Sequence, residues 1–85
     1  MTKFTYCVIA TYEDTEFSLK TNDPDHAIRF LFEHSEDGAQ VDVINNFTGE
    51  ILLRNTPEEV YMTREWSLML IGWMLQNNYR GFGLM

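Results

Sequence analysis

Apolar and polar side chains alternate from Lys3 to Tyr12. Phe4, Tyr6, Val8 and Ala10 fall on one side of the chain, and Cys7 and Ile9, among Thr5 and Thr11, on the other. A period of two among β-forming residues predicts a strand. Glu13 and Asp14 interrupt the alternation, which resumes from Thr15 to Lys20 with Phe17 and Leu19 apolar. A two-residue loop at Glu13-Asp14 sets Ala10 opposite Phe17 and Val8 opposite Leu19, so that all four share one face.

The period then changes. Asp23 is suited to cap free backbone amides and Pro24 to fill the first helical position. Ala27, Ile28, Phe30, Leu31 and Phe32 follow at helical spacing, and Glu36, Asp37 and Gly38 end the helix. A second hairpin is expected from Gln40–Asn45 and Glu50–Arg54 around the turn Asn46-Phe47-Thr48-Gly49, with Gly49 at positive φ. Both of its strands carry apolar residues of both parities, which requires a bulge at Gly49 or cover on both faces. Thr56-Pro57-Glu58-Glu59 reads as a helix start with room for one turn, and Thr63 as the cap of a main helix running to about Asn78. The order is ββαββα. The fold expected for residues 1–85 is one α+β domain, a single antiparallel four-stranded sheet with two helices packed on one face. An apolar tail over residues 79–85 can dock against it.

The main helix is the most informative element. From Trp66 to Leu75 it has no charged side chain and is apolar on most of its circumference. At about 100° per residue, Trp66, Met69, Leu70 and Trp73 form one face, and Leu68, Ile71 and Leu75 widen the arc beyond what a surface helix needs. The run spans about ten residues, half of what a bilayer crossing requires. The first face is assigned to the domain's own core. Leu68, Ile71 and Leu75 are candidates for contact with a second chain, together with the small Gly72 and the tail residues Tyr79 and Phe82.

Composition narrows the function classes. Thirteen acidic against six basic side chains give a formal charge of −7. That opposes binding to nucleic acid or to an anionic membrane, and attracts basic partners. Cys7 is the single cysteine, so neither a disulfide nor a paired-cysteine zinc site is expected, and its place in a strand suits a small buried hydrophobe. No apolar leader segment is evident, which gives a cytoplasmic expectation. His26 and His34 sit eight residues apart on one helix, roughly 12 Å along its axis, too far to share a metal. The carboxylates are scattered over turns and helix ends in capping roles, without the spacing of a calcium loop. Gly81 and Gly83 follow Arg80 in the tail, not between a strand and a helix, so no phosphate loop is present. No cofactor, metal or catalytic residue is expected.

The leading expectation is a small, acidic, non-enzymatic protein-binding domain acting through its aromatic- and Met-rich last helix, with the acidic rim as a second tool. A homodimer is the simplest partner arrangement. A self-associating structural domain without a separate ligand is one alternative. In bulk character (small, acidic, metal-free) the chain also resembles phage-encoded inhibitors of the anti-CRISPR kind. That resemblance implies inhibition of a host nucleic-acid-binding defence protein.

Overall fold

The computed structural model describes residues 5–77. Their order is β1 (Tyr6–Thr11), β2 (Glu16–Thr21), α1 (Pro24–Glu36), β3 (Gln40–Asn45), β4 (Ile51–Asn55), β5 (Val60–Met62) and α2 (Arg64–Gln76). The strands form one sheet in the order β2-β1-β3-β4-β5, with every neighbouring pair antiparallel. Because β2 and β3 both pair with β1, they run parallel to each other with β1 between them, and α1 makes the crossover.

The first hairpin has the register expected from its alternation, with Ala10 opposite Phe17 and Val8 opposite Leu19. The Tyr12 amide donates to the Thr15 carbonyl across the Glu13-Asp14 loop. α1 starts as its sequence dictates: the Asp23 side chain accepts from the Asp25 amide, and Pro24 opens the first turn. It ends in a Schellman arrangement. The Gly38 amide donates to the Ser35 carbonyl and the Ala39 amide to the His34 carbonyl, with Gly38 at φ 92°. A side chain is disfavoured at that φ, so the glycine sets where the chain leaves the helix.

The sheet has five strands rather than the expected four. Thr56-Pro57-Glu58-Glu59 does not begin a helical turn. The Thr56 amide donates to the Glu59 carbonyl and the Glu59 amide to the Thr56 carbonyl, closing a two-residue hairpin loop at Pro57-Glu58. The Thr56 hydroxyl also accepts from the Glu59 amide at 3.1 Å. A hydroxyl-to-amide contact three residues on serves a helix cap and a tight turn equally well. Val60-Tyr61-Met62 then pairs with the free edge of β4.

The bulge in the second hairpin falls inside β4. Val43 pairs with Leu53 and Ile44 with Ile51, leaving Leu52 as the extra residue. Both Leu52 and Leu53 are thereby buried, which accounts for the mixed parity of the strand. Gly49 takes the positive φ expected of it, 78°.

Val8, Ala10, Val41, Val43 and Leu53 lie on one side of the sheet. Ala27, Ile28, Leu31 and Phe32 of α1 and Trp66 and Leu70 of α2 close over them in a single core cluster. The other side carries Cys7, Ile9, Ile44 and Ile51, all partly exposed, around an Arg54–Asp42 ion pair at 3.0 Å. Cys7 is therefore not the buried hydrophobe expected of it: alternation puts it on the face that the helices leave open.

Candidate functional site

The helix that dominates the sequence is capped as expected. The Thr63 hydroxyl accepts from the Trp66 amide at 3.3 Å, and α2 runs to a C-cap at Asn77. Its inner face is set by Trp66 and Leu70, each 2% exposed. The Trp66 ring meets Tyr6 edge-on, with centroids 5.3 Å apart, which seats the first turn of α2 against the start of β1. Met69, Trp73 and Met74 pack half-buried against the same core.

Trp73 ties α2 to the start of α1. Its ring stacks on Phe32 with centroids 5.0 Å apart, and its indole Nε1 donates to Asp25 Oδ1. The second oxygen of Asp25 accepts from Arg29 Nε at 2.8 Å, and the Arg29 guanidinium lies 5.7 Å from the Trp73 ring centroid. The Arg29 bond first, and the Trp73 bond second, hold the Asp25 carboxyl below its ordinary value of 3.8. A carboxyl with a lowered pKa in the fold contributes stability above its unfolded value, and loses it as pH falls through the lowered value. Urea midpoints of the wild type are therefore expected to fall more steeply than those of Asp25→Asn below pH 3.8, and to run parallel to them from there to neutrality. Parallel curves at acid pH would show that Asp25 holds nothing together.

The outer face of α2 is different in kind. Leu68 is 61% exposed, Ile71 53% and Leu75 78%. Spaced i, i+3 and i+7, they form one stripe along the helix, and Gly72 lies in the same stripe. Among the described residues, a Cβ added at Gly72 would meet no atom within 4 Å beyond its own helix backbone and chain neighbours. Beside the stripe, a shallow groove of about 410 Å³ runs between the two helices, lined by Pro24, Ile28, Leu68, Met69, Gly72 and Trp73 among others. The charged residues of α2, Arg64 and Glu65, are confined to its first turn. Of the six residues singled out as an interface from the sequence, the structure brings Leu68, Ile71, Gly72 and Leu75 onto one surface. Tyr79 and Phe82 lie outside the described residues, as does the tail to which they belong.

A second concavity, of about 520 Å³, lies at the opposite end of α1, where the β1–β2 hairpin meets the C-terminal end of the helix. The Tyr12 hydroxyl and His34 Nδ1 are hydrogen-bonded at 2.6 Å. Phe17 stacks on His34 with centroids 5.6 Å apart and meets Tyr12 edge-on at 5.8 Å. Phe30 closes on His34 from the side, at 4.3 Å. Glu13, Asp14 and Asp37 line the same concavity. Sequence reasoning missed this assembly, because it treated each carboxylate as a local cap or turn residue and weighed His34 only as a metal ligand with His26.

His26 is exposed on the first turn of α1. Among the described residues, no group of three His, Cys, Asp or Glu side chains is placed to hold a metal ion, and no helix is long and apolar enough to cross a membrane. Neither the family models, the curated proteins nor the solved structures contain a match to this chain.

Proposed function

We propose that the protein is a non-enzymatic protein-binding domain whose docking surface is the outer stripe of α2, occupied by the same stripe of a second copy. The exposure of Leu68, Ile71 and Leu75 along one helical stripe carries the reading. The outward face of a surface helix is ordinarily polar, and a contiguous apolar stripe in its place is the mark of a contact surface.

Two features favour a second copy as the occupant. A molecule of charge −7 repels its own kind. From Trp66 to Asn77 the helix carries no charge at all, and Asp25, the carboxylate lining the adjoining groove, is paired with Arg29, so the stripe itself brings no carboxylates together. A stripe of this kind is also self-complementary under a two-fold axis, the commonest symmetry of oligomers. Gly72 adds a packing argument. A glycine inside a helix costs about 1 kcal/mol against alanine, and among the described residues nothing from another element fills the space beside it. A leucine of the facing helix would seat there.

Sedimentation equilibrium of the pure protein tests this. A concentration-dependent dimer is expected, tightening as salt is added, because screening weakens the mutual repulsion of the two acidic copies while apolar contact is not weakened. A monomer at the highest soluble concentration and high salt would eliminate the second copy as occupant.

A further inference from the structure

We infer that the concavity between the β1–β2 hairpin and the end of α1 is a recognition site for the cationic side chains, Arg or Lys, of a basic polypeptide. It lies at the other end of α1 from the α2 groove, and it does not depend on self-association.

The walls are aromatic. Tyr12, Phe17 and His34 line the space, and Phe17 remains 48% exposed after its contacts with the other two rings. An exposed ring face attracts a guanidinium or an ammonium through its quadrupole. Phe17 lies on the core side of the edge strand β2, and its contacts with Tyr12 and His34 still leave about half of the side chain open to solvent.

The rim is anionic. Glu13 and Asp14 come from the hairpin and Asp37 from the helix end, and among the described residues no Lys or Arg lines the concavity. The ion pairs among the described residues, Arg29–Asp25 and Arg54–Asp42, involve none of these carboxylates. Glu33 and Glu36 add negative charge to the last turn of α1, where the helix already presents the negative end of its dipole. A sequence selected for helix stability alone would place cations there. Burial first, then the charge of Asp37, a hydrogen bond to Asp37 and the charge of Glu33, push the pKa of Tyr12 above the ordinary tyrosine value. Negative potential beside an open aromatic face selects a cation with an apolar stem, which Arg and Lys side chains provide.

The test is an NMR titration of the whole chain with a blocked tetra-arginine peptide, using a blocked tetra-glutamate peptide as control. Saturable shifts are expected on the ring resonances of Tyr12, Phe17 and His34 with tetra-arginine, and none with tetra-glutamate. Phe17→Leu, which keeps the bulk of the side chain but removes the ring, is expected to weaken tetra-arginine binding about fivefold. The double variant Asp14→Asn/Asp37→Asn keeps the size of both side chains while removing their charge, and is expected to weaken it further and to flatten its salt dependence. Phe47→Ala, at an exposed aromatic elsewhere, is expected to leave binding unchanged. The proposal is overturned if the shifts are absent, if they spread evenly over the acidic surface, or if Phe17→Leu and Phe47→Ala bind alike.

Discussion

Trp66→Ala is expected to cost about 3–5 kcal/mol of folding free energy, the range for deleting a large buried aromatic side chain. Trp66 is among the largest fully buried side chains of the described residues. Its removal opens a cavity where α2, the start of β1 and the Tyr6 ring meet. A domain of this size has only about 5–15 kcal/mol in total, and small domains bury the smaller fraction of their surface. The variant is therefore expected to be largely unfolded at moderate urea concentrations where the wild type is folded. Urea transitions followed by far-UV circular dichroism, at one fixed protein concentration because association adds to apparent stability, give the number. Leu75→Ala, at the most exposed of the large apolar side chains, is the contrast and is expected to stay within about 0.5 kcal/mol of wild type under conditions where the chain is monomeric. A loss below about 1 kcal/mol for Trp66→Ala, which is typical of an ordinary substitution, would mean that the inner face of α2 is not core.

The second large effect concerns association. Leu68→Asp combined with Ile71→Asp is expected to weaken the proposed dimer by more than about a hundredfold, since central apolar contacts of an interface cost roughly 2 kcal/mol or more each when lost. Two-fold symmetry doubles the damage, because each new carboxylate faces the partner's copy of the same stripe. The fold itself is expected to lose only about 0.5 kcal/mol per site, the difference in helix propensity at an exposed position. Sedimentation reads the first quantity and urea unfolding of dilute protein the second. A variant that dimerises as the wild type does would remove the stripe from the interface. A variant that unfolds would assign Leu68 and Ile71 to the core, against their exposure.

The same helix shows how far sequence reasoning reaches. Its division into an inner face of Trp66, Met69, Leu70 and Trp73 and an outer stripe of Leu68, Ile71 and Leu75 was legible from angular spacing alone, and the burial of these residues follows that division. So were the caps at Asp23 and Thr63, the stop at Gly38 and the register of the first hairpin. Each depends on residues that are neighbours along the chain or on one turn. What spacing left open was the use of the outer stripe, since an arc that is too wide for one core can be covered from inside or outside the molecule.

Two local motifs misled because their physics is shared. The Thr56-to-Glu59 contact forms as a cap would, and only the free edge of β4 turns the following residues into β5. Cys7 sits in a strand as read, yet its exposure depends on which side of the sheet the helices choose.

By itself, then, the sequence determined the type and ends of most elements, the phase of the first hairpin and the two faces of α2. Those properties come from hydrogen bonds and side-chain directions that repeat within a few residues. Tertiary structure alone decided that a fifth strand extends the sheet, that Leu52 is the bulged residue, and that Cys7 faces away from the core. It also decided that Tyr12, Phe17, His34 and Asp37, drawn from three segments of the chain, share one acidic concavity. The reason is that burial of the shared core fixes how the elements dock, and no local pattern carries the relative placement of a hairpin tip and a helix end.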